Sequence, residues 1–185
     1  MGSNKLLLPY RGRSLLCAAL DAVAGSRAEP VICVLGRDAE AVRRAMEKES
    51  GPRPVVWIVN ADAAWGRASS IRAALKALPE ACEAALFLPG DVPGVTATEV
   101  DALIARFEST HAEIVVAVED TEAPSHPVLF ARSLFSELRA LQGDVGGRAL
   151  IEKRWASVEK VQRKGPSLFD VDTPEDYKKL LEGLP

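Results

Sequence analysis

Residues 84–96 read Ala-Ala-Leu-Phe-Leu-Pro-Gly-Asp-Val-Pro-Gly-Val-Thr, and the rest of the chain is understood from this stretch. Ala85-Leu86-Phe87-Leu88 is a short apolar run of the kind that fits a strand covered on both faces, and Pro89-Gly90 stops it. Asp91 therefore falls at the end of a strand. In an open parallel α/β sheet the carboxyl ends of the strands face the ligand crevice, so a carboxylate there is placed to hold a hard cation such as Mg²⁺. A Gly-Asp pair also starts turns and caps helices, so the neighbouring segments decide.

On both sides of it, short apolar runs alternate with amphipathic helical stretches, the βα signature of a mostly parallel sheet. Upstream, residues 14–24 carry Leu15, Leu16, Ala19, Leu20 and Val23 on one helical face. Val31–Leu35 is a strand ending at Gly36, and Asp38 is positioned to cap a helix over Ala39–Glu49. Val55–Val59 is the next strand; the loop Asn60–Gly66 leads from it into a helix over roughly Ser69–Leu78. Downstream, Thr96-Ala97-Thr98-Glu99 has capping-box spacing and opens a helix to about Glu108. Glu113–Val118 is a strand and His126–Phe130 a short one. Ser133–Leu141 and Val145–Arg154 read as helices, the second entered through Gly143-Asp144, and Val158–Gln162 as an edge strand. Thr173-Pro174-Glu175-Asp176 supplies a cap, a first-turn proline and two acids, so the chain closes with a helix of about nine residues.

The 185 residues are 48% hydrophobic and 26% charged, the profile of one globular domain with a sizeable core. A net charge of −3 gives no basic footprint, so no nucleic-acid partner is expected. Cys17, Cys33 and Cys82 are scattered among apolar neighbours, which fits buried free thiols in a reducing, cytoplasmic setting and neither a disulfide framework nor a metal cage. Without an apolar run near membrane length or a leader pattern, no membrane partner is expected.

Asp170 and Asp172 flank Val171, and in extended chain both point to the same side. They either join Asp91 in a metal site or serve as a turn acid and part of the last helix's cap; the sequence does not choose which of them would be the ligand. Ser69 and Ser70, near a helix start, offer N–H and hydroxyl donors to an anion.

Six stretches occur in order: Asn4-Lys5-Leu6-Leu7-Leu8-Pro9-Tyr10-Arg11-Gly12; Gly66 to Ser70 followed by Ile71-Arg72-Ala73; Gly90-Asp91-Val92-Pro93; His126-Pro127-Val128-Leu129-Phe130; Gly143-Asp144 with Gly146-Gly147-Arg148-Ala149-Leu150; and Asp170 to Asp176. Together they resemble the molybdenum cofactor cytidylyltransferase branch of the molybdopterin nucleotidyltransferases, over nearly the whole chain. The resemblance implies a Rossmann-like, three-layer α/β nucleotidyltransferase fold with a mostly parallel central sheet. It also implies transfer of a nucleoside monophosphate from CTP or GTP to molybdopterin with release of pyrophosphate, Mg²⁺ as cofactor, and a molybdoenzyme as acceptor of the product.

Lys5 matches the family's phosphate-binding lysine and Asp91 its metal-binding aspartate, with Asp170 and Asp172 completing the metal site. The loop with Asn60, Gly66, Ser69 and Ser70, together with Gly90, matches the nucleotide side; His126 matches the pterin side, and Arg148 either contacts the pterin or pairs only with the acids nearby. Arg67 and Ala68 depart from the family's Gly-Met-Ser-Ser-Ser. A larger departure is at the start. Family members place a strand and a glycine-rich, arginine-containing loop before the Asn-Lys-Leu-Leu stretch, whereas Met1-Gly2 looks like the end of that loop, so a central strand and part of the phosphate cradle are expected upstream. Two alternatives differ in class: a nucleotidyltransferase acting on another phosphorylated small molecule, and a non-catalytic protein that binds or chaperones the molybdenum cofactor.

Overall fold

A computed structural model describes residues 4–49, 54–119, 123–164 and 168–183; Met1 and Gly2, read above as the end of a loop, lie outside them. After a 3-10 turn at Lys5–Leu7, Pro9–Tyr10 (β1) and Arg13–Ser14 (β2) form a small hairpin. Its two turn residues, Arg11 and Gly12, both have positive φ (49° and 81°), the backbone that a two-residue hairpin turn demands. Ser14 then caps Leu15–Ala24 (α1), its side chain accepting from the Cys17 N–H.

Val31–Leu35 (β3) and Val55–Val59 (β4) pair in parallel through the helix Ala39–Glu49 (α2). Asp38 enters α2 with φ +62°, in the left-handed region and not in the extended conformation of an N-cap; it precedes the helix without the expected geometry. Arg67–Ala77 (α3) follows β4. The strands Ala84–Phe87 (β5), Ile114–Val118 (β6), Pro124–Ala131 (β7) and Glu159–Gln162 (β8) form a second sheet in the order β5-β7-β6-β8. Three of its strands run the same way. β7 runs against them, so the sheet is mixed; β7 follows β6 by a short connection, which permits only antiparallel pairing.

All five residues of β6 are buried, and alternation sends them to opposite faces. Ile114, Val116 and Val118 pack with Leu75 of α3, with Leu138 of Phe135–Ala140 (α5) and with Ile151 of Arg148–Lys153 (α6). Val115 and Ala117 pack on Leu103 of Ala97–Thr110 (α4). Helices therefore cover both faces, giving three layers. Cys17 and Cys33 are buried, Cys82 is partly buried, and none of them is in a disulfide among the described residues; burial pushes the Cys33 thiol up to about 12.

α4 starts in the expected capping box, Thr96 Oγ1 accepting from the Glu99 N–H and Glu99 accepting from the Thr96 N–H. Glu99 also pairs with Arg163, whose side chain is 2% exposed and reaches Glu119 as well, tying the segment after β8 to α4 and β6. Thr96→Ala should cost about 1 kcal/mol, read as a lower urea midpoint with unchanged slope. The last helix, Pro174–Glu182 (α7), has its own capping box from Thr173 and Asp176.

Between the sheets, one edge of β3 and one of β5 are unpaired among the described residues. A cavity of about 510 Å³ separates them. The Val31–Leu35 and Ala84–Leu88 backbones form its long sides, and Leu6, Leu16 and Gly90 line it as well. No described helix is long and apolar enough to cross a membrane.

Candidate active site

β5 delivers Leu88-Pro89-Gly90 and then Asp91 to the end of the sheet. A backbone hydrogen bond from the Val171 N–H to the Asp91 carbonyl (3.2 Å) fixes that turn against the C-terminal segment. Val171 is fully buried with Tyr10 and Leu15, and its anchoring holds Asp170 and Asp172 beside Asp91. Lys5 Nζ lies 2.6 Å from Asp91 Oδ2 and 2.5 Å from Asp172 Oδ1. Three distant segments thus meet at one ammonium. Partial burial works against the Lys5 charge, but the bonds to Asp172 and Asp91 outweigh it and hold its pKa above the usual lysine value.

His126 reaches the same place through an irregularity in β7. The β6–β7 register passes from Val116↔Val128 to Ala117↔Ser125, so His126 and Pro127 bulge out of the ladder, a device that re-aims a side chain. Phe87↔Val128 is the last β5–β7 pair, which sets His126 beside the outgoing end of β5. Its Nδ1 is buried without a hydrogen-bond partner. Burial lowers the imidazole pKa, Asp170 and Asp91 oppose this, and the Arg67 charge adds to it, the net shift favouring the neutral ring. The sequence predicts a short strand over His126–Phe130, whereas β7 is eight residues long and central.

Asp170 is raised from the ordinary aspartate value, first by desolvation and then by the neighbouring charge of Asp91. A carboxyl with a raised native pKa binds more protons folded than unfolded, so its ionisation lowers stability as pH climbs from the ordinary aspartate value of 3.8 through the higher native one. Asp170→Asn should accordingly raise the metal-free melting temperature at neutral pH and leave it almost unchanged at acidic pH. A melt that falls at neutral pH would contradict this arrangement.

The loop after β4 is held from within. Asn60 is buried and its amide donates to Ser69 Oγ (2.8 Å) and Ser70 Oγ (3.1 Å), while Ser69 Oγ donates to the Gly66 carbonyl. Gly66 has φ +92°, and a Cβ there would sit 2.4 Å from the Gly143 carbonyl carbon; only glycine allows the two loops to touch. The first N–H groups of α3 are already used, Arg67 N–H bonding Asp144 Oδ1 and Ala68 N–H the Gly143 carbonyl, and the Arg67 guanidinium clasps Asp144 as well. The Ser69 N–H and hydroxyl, expected to face an anion, both turn to the Gly66 carbonyl, and Asp144 takes only the Arg67 end of this helix start. Nothing in the sequence pointed to this latch, because its halves are 77 residues apart. Arg148 is exposed and pairs with Glu152 at 2.8 Å. α6 begins only at Arg148, after Gly146-Gly147, and not at Val145.

No three His, Cys, Asp or Glu side chains among the described residues are gathered closely enough to hold a metal by themselves. Asp91 and Asp170 nevertheless suit a hard cation: their charges repel, and Mg²⁺ is commonly bound by one or two carboxylates with substrate phosphates completing the shell.

An acidic cluster with one lysine thus lies at the carboxyl edge of a three-layer α/β fold, the edge at which such sheets bind their ligands. The chain belongs to the family of the MobA-like NTP transferase domain, whose model matches residues 1–160. It is 26% identical over 183 residues to the purine catabolism protein PucB of Bacillus subtilis, covering 96% of this chain and 87% of that one. To nicotine blue oxidoreductase of Paenarthrobacter nicotinovorans it is 28% identical over 184 residues, with the same coverages of 96% and 87%. Among solved structures, Rv0371c of Mycobacterium tuberculosis in complex with manganese superposes with a TM-score of 0.81 at 31% identity, over 98% of this chain and 93% of that one.

Proposed function

We propose that the protein transfers a nucleoside monophosphate from CTP or GTP to the phosphate of molybdopterin, releasing pyrophosphate, with CTP favoured by the resemblance of its motifs to the cytidylyltransferase branch. The observation that carries this reading is the convergence of Asp91 and Asp172 on Lys5, with Asp170 and His126 beside Asp91. An oxygen of the acceptor phosphate forms a bond to the α-phosphorus of the triphosphate, and the bond from that phosphorus to the bridging oxygen breaks, pyrophosphate leaving with the electron pair. The nucleophile is already ionised, so His126 has no proton to remove; its neutral imidazole accepts a hydrogen bond on the pterin side.

Lys5 exchanges carboxylate partners for phosphate oxygens and holds the developing charge in place. Asp91 with Asp170 or Asp172 would hold Mg²⁺, or another divalent cation, which supplies neutralisation of the leaving pyrophosphate. Gly90 keeps the turn after β5 low, since a Cβ there would press on Leu16 and Leu6. Gly66 and Ser70 line the nucleotide side; Asn60 and Ser69, bonded to each other, position that loop. Arg148 is free to turn from Glu152 toward a pterin or an acceptor molybdoenzyme.

Leu6 lies beside Gly90, where the chain leaves β5, and both line the slot between β3 and β5. In this reading the slot seats one further strand, supplied by polypeptide ahead of Met1. Its following loop would add the backbone donors that α3 does not offer. The second reading, a non-catalytic carrier of the cofactor, is favoured by the engagement of the first α3 N–H groups by Asp144 and Gly143. Incubation with molybdopterin, Mg²⁺ and either CTP or GTP, followed by mass analysis, separates the two. A dinucleotide form of the cofactor, formed one for one with pyrophosphate, is expected; bound molybdopterin with no nucleotide consumed would establish the carrier.

A further inference from the structure

Away from this site, the C-terminal half of α3 and the start of α5 frame a second depression of about 470 Å³. Its floor is apolar, formed by Leu75, Leu78 and Phe135, and four cations rise around it: Arg72, Lys76, Arg132 and Arg139, against the single acid Glu80. Among the described residues none of the four is ion-paired. Arg72 and Lys76 stand one helical turn apart on α3, which carries no acidic residue, and like charges at that spacing are mildly destabilising. The arginines are ordered by the chain itself. Arg72 donates to the Leu141 carbonyl (2.6 Å), Arg132 to Cys82 (3.0 Å) and Arg139 to Leu75 (3.4 Å), while Arg132 and Arg139 lie 5.9 and 6.0 Å from the centre of the Phe135 ring.

Each guanidinium has five N–H donors in a planar fork, so one bond to a carbonyl leaves several facing outward. Ordered guanidiniums suit phosphate oxygens, because less side-chain freedom is lost on binding. From this geometry we infer a second anion site, for a small ligand bearing at least two linked phosphates. The depression has the volume of a small-molecule site, and the excess of cations over Glu80 matches a diphosphate better than a single phosphate. Metal-free, the catalytic cleft is a poor competitor, since Lys5 is already bonded to two carboxylates with Asp170 beside them. The inference therefore stands apart from the transfer reaction.

The test is calorimetric titration of metal-free protein with inorganic pyrophosphate, accompanied by NMR of the arginine Nε–H groups. Expected is one salt-sensitive site per chain, with shifts at Arg72, Arg132 and Arg139. Binding should weaken about ten-fold or more in Lys76→Gln combined with Arg132→Gln and stay unchanged in Lys5→Gln. Lys76→Gln alone, at an exposed position, gives a smaller loss in the same direction and guards against misfolding of the double variant. Absence of saturable binding, or binding lost in Lys5→Gln and kept in the double variant, would overturn the site. A short poly-glutamate peptide that binds where pyrophosphate does not would overturn the small-molecule assignment in favour of a protein-docking face.

Discussion

Asp91→Asn is expected to lower turnover by about 100-fold or more while moving the melting temperature little. The substitution keeps shape and most hydrogen-bonding capacity but removes the charge that attracts a cation, and loss of one oriented electrostatic contact in a site of this kind commonly has that size. Stability is buffered for two reasons. Lys5 retains its bond to Asp172 at 2.5 Å, and the repulsion that raises Asp170 is relieved. If Asp91 served only to shape the turn after Gly90, turnover would be nearly normal and about 1 kcal/mol of stability would be lost. Pyrophosphate release and a thermal melt on the same preparation separate these outcomes.

The second large effect concerns the slot. Residues 1–185 alone should bind CTP weakly, because Lys5 is engaged by Asp91 and Asp172 and the first N–H groups of α3 by Asp144 and Gly143. A polypeptide extended upstream through a strand and its loop should fill the space of about 510 Å³ between β3 and β5, melt several degrees higher and protect the amides on both facing edges from hydrogen exchange. Two new backbone bonds to a triphosphate at about 1.5 kcal/mol each would tighten CTP binding on the order of 100-fold. Micromolar CTP binding by residues 1–185, unchanged in the extended chain, would show that the slot has no part in the site.

The features readable in the sequence are those encoded locally. β3 and β4 are unbroken apolar runs bounded by Gly36 and Asn60, and the starts of α4 and α7 are written in capping boxes. The length of β7 was not readable. Pro124 and Pro127 argue against a central strand, and it is the bulge opposite Val116 and Ala117 that lets His126 and Pro127 leave the ladder. Gly146-Gly147 shortened α6, since a Cβ on Gly147 would strike the Phe130 ring, a contact no local pattern announces. The position of Asp91 at the outgoing end of β5 and the closeness of Asp170 to Asp172 were visible as spacing. That Lys5 would lie between Asp91 and Asp172 was not, nor was the Arg67–Asp144 latch; both are contacts made by the fold between distant segments.

Binding of Mn²⁺ followed by its paramagnetic resonance, with and without CTP, tests most directly the claim that Asp91 holds the metal of this site. Because no three protein ligands are pre-assembled among the described residues, Mn²⁺ alone should bind weakly. CTP should tighten it by completing the shell with phosphate oxygens, and Asp91→Asn should abolish the gain, returning the affinity to that of free Mn²⁺-CTP. Tight Mn²⁺ binding without nucleotide, or a CTP-dependent gain that survives Asp91→Asn, would contradict the account.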